Sequence, residues 1–426
     1  MNEHTIKTMV RHNRNNHNIG LYSVCSANEI VLHASIKHAK KHTYPLIIES
    51  TANQVNQFGG YTGIKPHEFY LQVHDIASKE GLAKENIILG GDHLGPLLWQ
   101  NENEESAMLK AVDMVKAYTL AGYTKIHLDT SMKLNDDAPG PLNVRICAKR
   151  GALLAKAVFE TYDNMPKQGI RPVLVIGSEV PIPGGSQEQD KSIYPTKAND
   201  FLRQVEVFKH EFENAGLDFN DVAAFVVQPG VEFGDDFVFL YDKEKAKDLS
   251  QALNKVDNIV FEGHSTDYQN PENLLHMIRD GVAILKVGPA LTFVLREALF
   301  LLEAVEEIIV APDSRSNLKK TILKEMDSSK KYWEKYYSGT TEEIEYKKFY
   351  SYSDRLRYYL PEKNVNDAIQ RLLGNIPEVP QALLSQYFPL QYRRFLQGTL
   401  KNDPLSIIHD RIGDLLDGYA SACGYM

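Results

Sequence analysis

Residues 87 to 96 read Ile-Ile-Leu-Gly-Gly-Asp-His-Leu-Gly-Pro. An apolar run of strand type stops at Gly90 and Gly91, and an acid and an imidazole, Asp92 and His93, follow at once. α/β enzymes keep their chemistry at such strand termini. Neighbouring side chains on a regular strand point to opposite faces, so Asp92 and His93 share one site only if the backbone bends there. Gly90, Gly91 and Gly95 are expected to supply the bend, because glycine adopts dihedrals that other residues avoid. The plainer alternative is a loop with a capping Asp and a surface His.

Working outward, seven more runs of the same type flank this one, at 19–26, 45–50, 125–131, 172–181, 223–230, 258–265 and 283–292. Amphipathic stretches separate them, at 27–42, 66–81, 104–121, 143–163, 197–215, 243–255, 271–280 and 293–308. Eight strand–helix repeats predict an α/β chain built as a TIM (β/α)8 barrel over residues 1–312, with a doubly wound open sheet as the alternative. Residues 313–426 differ in composition. Eight of the 22 tyrosines lie between Tyr332 and Tyr359, and 363–375 and 404–420 have helical spacing. This region is expected to be a helical, Tyr-rich C-terminal extension packed on the barrel. Its sharper use would be a surface for a homo-oligomer or a partner, since Tyr and Arg favour interface cores. Arg355 and Arg357 could also reach over the mouth to an anionic substrate, but they are not counted among the site residues.

The chain has 426 residues, 43% hydrophobic and 24% charged, which is ample for a large core. A formal net charge of −9 argues against nucleic-acid and anionic-membrane partners. The N-terminal residues lack the apolar core of a signal peptide, and no run reaches the ~18 apolar residues of a membrane span, so a cytoplasmic protein is expected. The three cysteines, Cys25, Cys147 and Cys423, have no paired spacing for disulfides or zinc, which fits a reducing compartment.

A closed barrel brings the strand ends to one mouth, and seven of the eight are polar here. His93 and His264 are the expected ligands of a divalent metal, with Gln228 or a carboxylate completing the set. Imidazole with oxygen suits zinc, manganese or cobalt. Asp92 and Glu179 are then the candidates for proton transfer, with Asp129 to orient them or to cap the following helix. Barrels bind anions at the loops after strands 7 and 8, which here carry Ser265, Lys286, Gly288 and Thr292. Asn53 and Gln54, in the amide-rich loop after strand 2, suit a polyhydroxylated ligand.

The strings NQVNQFGGYTG, ILGGDHLGP, KIHLDTSM, GSEVPIPGG, VVQPGVEF, HSTDYQ, LKVGPALTF, YSYSDRLRYY and SQYFPLQY span essentially the whole chain. They resemble the Z-type subunit family of bacterial class II D-tagatose-1,6-bisphosphate aldolases. The resemblance implies a TIM barrel with a helical extension and a place in galactitol, N-acetylgalactosamine or tagatose catabolism. It implies either a non-catalytic subunit that stabilises and activates a separate class II aldolase chain, or a 4-epimerase acting on a ketohexose or ketohexose phosphate. Compared with catalytic class II aldolases, Asp92-His93 is similar to their proton donor followed by a zinc ligand, and His264 to a second zinc histidine. At strand 6, where those aldolases place a third ligand His, this chain has Gln228. A kinase description of the family finds no Gly-x-x-x-x-Gly-Lys-Ser/Thr loop here.

Overall fold

A computed structural model describes residues 3–15, 18–166, 169–178 and 193–426. Eight parallel strands close into a barrel: β1 (Leu21–Val24), β2 (Leu46–Thr51), β3 (Ile87–Leu94), β4 (Lys125–Leu128), β5 (Val173–Ile176), β6 (Val222–Val227), β7 (Val260–Gly263) and β8 (Val282–Val287). Closure is made by β1 on β8, with Leu21 opposite Ile284 and Val24 opposite Val287. The open sheet is therefore excluded, and the TIM barrel stands with a helical C-terminal part.

All eight strands lie where the runs predicted them, but most are shorter. The run 283–292 ends as a strand at Val287, because Gly288 breaks it and Pro289 opens a helix to Ile309. Proline suits a first helical position, whose N–H has no partner in the helix anyway. Apolar residues continue through both elements, so periodicity alone does not mark the change. A helix over Thr5–Arg14 has no counterpart in the expectations, although Ile6, Met9 and Val10 have helical spacing. His4 caps it, accepting from the Ile6 amide through Nδ1 at 3.0 Å, with Nε2 at 3.1 Å from the Thr124 carbonyl oxygen.

The interior is layered. Ile6, Met9 and Val10 close the bottom against Leu21, Ile47, Ile88, Val173 and Ile284, in a fully apolar plug. Between the strands and the outer helices a second buried cluster continues without a break into the C-terminal helices Lys363–Asn375 and Pro404–Ala422. Apolar burial of this kind contributes roughly 25 cal/mol per Å². The rigid wall it makes leaves the polar mouth as the place for function.

Candidate active site

β3 does bend. Its register with β4 shifts between Gly91 and Leu94, and His93 takes a left-handed φ of 51°. The glycines serve a different purpose from the one expected. None of Gly90, Gly91 and Gly95 has a left-handed φ. Each is required for space: a Cβ would lie 2.6 Å from Glu49 Cγ at Gly90, 2.7 Å from the Tyr118 ring at Gly91, and 1.7 Å from the Asp129 carbonyl oxygen at Gly95. The unfavourable dihedral is carried by His93 itself. Non-glycine residues hold such a conformation when the surroundings over-determine it, and such positions cluster at functional sites.

Three imidazoles meet above the bend. The ring centroids of His93, His127 and His264 are 5.0 to 5.1 Å apart, and all three are buried. Each ring has one nitrogen on a carboxylate. His93 Nδ1 is 2.8 Å from Asp129 Oδ2, His127 Nδ1 is 2.7 Å from Asp92 Oδ1, and His264 Nε2 is 3.1 Å from Glu262 Oε1. The His93 amide also points at His127 Nδ1, at 3.1 Å, but a carboxylate is the stronger partner and places the ring proton on that nitrogen. Nε2 of His127 then carries a lone pair, and it is buried without a hydrogen-bond partner among the described residues.

That orphaned nitrogen fits a metal. Ligand atoms of Asp92, His93, His127 and His264 all lie within 4.8 Å of one another. Imidazoles backed by carboxylates are the usual arrangement around a bound cation, because the carboxylate fixes the tautomer and raises ligand basicity. Burial pushes His264 well below its ordinary pKa and lowers His127, with the Lys286 charge adding to both, so these rings stand neutral and ready to donate a lone pair. Burial opposes ionisation of Asp92 and Asp129. The neighbouring His93 and Lys286 outweigh it at Asp92, and hydrogen bonding to His93 outweighs it at Asp129, holding both carboxyls below the usual range.

Below the imidazoles lies an ionic layer that no sequence expectation covered. Lys125 Nζ bridges Glu49 and Glu262, the latter at 2.6 Å, and all three side chains are fully buried. Lys286 faces Asp92 closely, Glu49 at 3.4 Å and Glu262 at 3.8 Å. Counted formally, Glu49, Asp92, Asp129 and Glu262 oppose two lysines, an excess of two negative charges beside the imidazoles. A divalent cation is the complement of that charge.

Comparison with known proteins decides the family. The model for D-tagatose-1,6-bisphosphate aldolase subunit GatZ/KbaZ-like proteins matches residues 6–424. The chain belongs to this family. It is 41% identical over 422 residues to the D-tagatose-1,6-bisphosphate aldolase subunit GatZ of Salmonella dublin, covering 98% of this chain and 99% of that one. The figures for GatZ of Salmonella gallinarum are the same. Among solved structures, one described as a probable tagatose 6 phosphate kinase from Sinorhizobium meliloti superposes with a TM-score of 0.87 at 38% identity, covering 95% of this chain and all of that one.

In this GatZ/KbaZ-like chain the expected residues are only partly gathered. Asp92, His93, His264, Asn53, Gln54, Ser265, Lys286 and Gly288 line one pocket at the mouth. Gln228 is turned away from that role, its Oε1 accepting from the Gly230 and Val231 amides at 2.8 and 3.0 Å. The third imidazole is His127 of β4. Asp129 spends Oδ2 on His93 and Oδ1 on the Ser131 amide and hydroxyl, so both of its oxygens are engaged. Lys286 is paired inside the barrel, and Thr292 donates to Asp354 at 2.5 Å, so neither is placed as an open phosphate contact. The Gly288 and Ala290 amides already donate to Asp267 Oδ1, at 3.0 and 2.8 Å. Burial raises the Asp267 carboxyl to about 6. Glu179 lies outside the described residues. Arg357 and Tyr358 of the C-terminal part also line the pocket, although neither was counted among the site residues.

The missed residues had a signal. Lys125 and His127 on β4 alternate with the expected Asp129 just beyond it, as Glu262 on β7 does with the expected His264, and a period of two puts each set on the inward face.

Proposed function

We propose that the barrel mouth binds one divalent metal through His93, His127 and His264 and performs aldol-type chemistry at C3–C4 of a ketohexose phosphate, interconverting the C4 epimers tagatose 6-phosphate and fructose 6-phosphate. The observation that supports this reading best is the trio of imidazoles, each with a carboxylate behind it and His127 Nε2 left open. A divalent ion, when bound, polarises a substrate carbonyl and stabilises the charge that develops on it. Asp92, held ionised in the pocket wall, accepts the C4 hydroxyl proton as the C3–C4 bond opens. It returns that proton after the aldehyde fragment has rotated and the bond has re-formed at the opposite face. Asn53, Gln54 and Ser265, which line the pocket, hold sugar hydroxyls in this reading. Asp129 keeps the His93 ring in one orientation.

The relatives favour a second reading over this one. Proteins 41% identical across nearly the full length are named as aldolase subunits, which supports a chain that stabilises and activates a separate class II catalytic chain. One experiment separates the two. The purified chain is incubated alone with D-tagatose 6-phosphate and zinc, manganese or cobalt in turn, and the sugar is followed by carbon NMR. Fructose 6-phosphate that forms in the wild type and is lost in Asp92→Asn and His264→Ala establishes the first. No turnover with any metal, together with activation of an added aldolase chain, establishes the second.

A further inference from the structure

The barrel's ordinary anion cradle is closed to substrate. The amides of Gly288 and Ala290, at the start of the helix Pro289–Ile309, are held by the carboxylate of Asp267, itself 3% exposed. A second anion brought to those amides would face that carboxylate at hydrogen-bond range, and like charges so close are mutually destabilising. The pocket over the imidazoles is also small, about 80 Å³, room for a handful of water molecules at roughly 10–15 Å³ each. A six-carbon sugar with a phosphate needs more length than this.

The length is available to one side. A cavity of about 600 Å³ opens between the loop after β2 and the C-terminal part, and it shares Asn53, Tyr61 and Tyr358 with the site pocket. Lys331 and Arg355 supply its charge and Tyr332 and Tyr336 its walls. Arg355 is buried and stacked on Tyr336, 3.3 Å from the ring centroid, while Lys331 is exposed over Tyr332 at 5.0 Å. The Tyr332 and Tyr358 rings stack at 4.9 Å. Cations fixed against aromatic faces and open to a polar cavity suit a phosphate monoester, for which arginine offers a planar fork and lysine a point charge.

We infer that the phosphate of the sugar phosphate binds in this side cavity, on Lys331 and Arg355 of the C-terminal part, and not at the loops after β7 and β8. The inference rests on the sugar-phosphate reading above. It makes the C-terminal part a specificity element that measures the distance from the reacting carbons to the anionic end.

The test is calorimetric binding by the full chain of D-tagatose 6-phosphate, D-tagatose and inorganic phosphate, with cobalt binding followed separately as a check on the imidazole site. Lys331→Ala and Lys331→Glu are surface changes, and Arg355→Lys keeps the charge and removes the fork. The expected result is that each variant weakens tagatose 6-phosphate about tenfold more than tagatose, the scale of one charge-assisted hydrogen bond. Lys331→Glu is the strongest, cobalt binding is unchanged, and Asp267→Asn gives no gain for inorganic phosphate. Equal binding of both sugars by the wild type, unaltered selectivity in the Lys331 variants, or a tenfold gain for phosphate in Asp267→Asn would each overturn it. Cobalt binding that persists in those cases leaves the metal reading standing, so the two failures are distinguishable.

Discussion

Nδ1 of His93 lies 2.8 Å from Oδ2 of Asp129, and both side chains are almost completely buried. The pairing puts the ring proton on Nδ1 and leaves the Nε2 lone pair, 3.6 Å from Asp92 Oδ2, for a ligand. Asp129→Asn keeps the shape but replaces an ionised acceptor with an amide. Carboxylates behind ligating histidines are worth about 10–100-fold in metal affinity. We expect that loss in Asp129→Asn, read by competitive chelator titration, with His93 still present. Affinity equal to wild type would mean that the ring is oriented by something else.

Lys125 bridges Glu49 and Glu262, with no exposure on any of the three side chains. Removing one member of a buried ionic group leaves the others uncompensated, at a cost of about 3–5 kcal/mol. Lys125→Met should therefore lower the melting temperature sharply and reduce metal affinity as the layer rearranges. An unchanged melting curve would contradict the account of this layer.

Gly95 has an extended φ of 176° and a projected Cβ 1.7 Å from the Asp129 carbonyl oxygen. Conformation would permit alanine there, and space does not. Overpacking of this sort costs about 1–3 kcal/mol or more. Gly95→Ala is expected to destabilise the fold and to weaken metal binding by moving Asp129, whereas an alanine at the exposed, open Gly374 should do neither.

Glu232 lies after β6 in a buried two-residue strand, Glu232–Phe233, paired antiparallel with Val238–Phe239, and burial raises its carboxyl to about 7 from an ordinary 4.5. Below the ordinary value both folded and unfolded chains hold the proton, so the group has no effect. Between there and 7 only the unfolded chain ionises, and stability falls as pH rises, by about 3 kcal/mol once both forms are ionised. Glu232→Gln, which retains an acceptor for the Phe233 amide, should melt above wild type at pH 8 and match it near pH 4. The same melting difference at both pH values would show that the carboxyl is not raised.

The barrel was legible because hydrophobic runs and their spacing report burial directly, and helices such as 104–121 and 363–375 fall at their predicted limits. The site was legible only in part. A polar residue at a strand end announces the mouth but not the direction of its side chain. Gln228 occupies such an end and turns its oxygen into its own backbone, while Lys286 points down into an ionic layer built from residues on β2, β4 and β7. His127 lies inside the strand, one residue before its last, so a polar strand end does not mark it. Its inward placement follows from the alternation of β4, and its carboxylate partner sits on β3, which only the closed sheet brings near. The contribution of Arg357 and Tyr358 depends on how the C-terminal part folds back over the mouth, a contact across the chain that no local pattern encodes.

The central claim is that three imidazoles from separate strands hold one divalent cation. Titrating the metal-free full chain with cobalt(II) and recording its visible absorption tests this most directly. The account predicts one equivalent bound with ligand-field bands of an imidazole-rich site, abolished in His127→Ala and His264→Ala and retained in Gln228→Ala. Absence of binding, or binding untouched by His127→Ala, would contradict it.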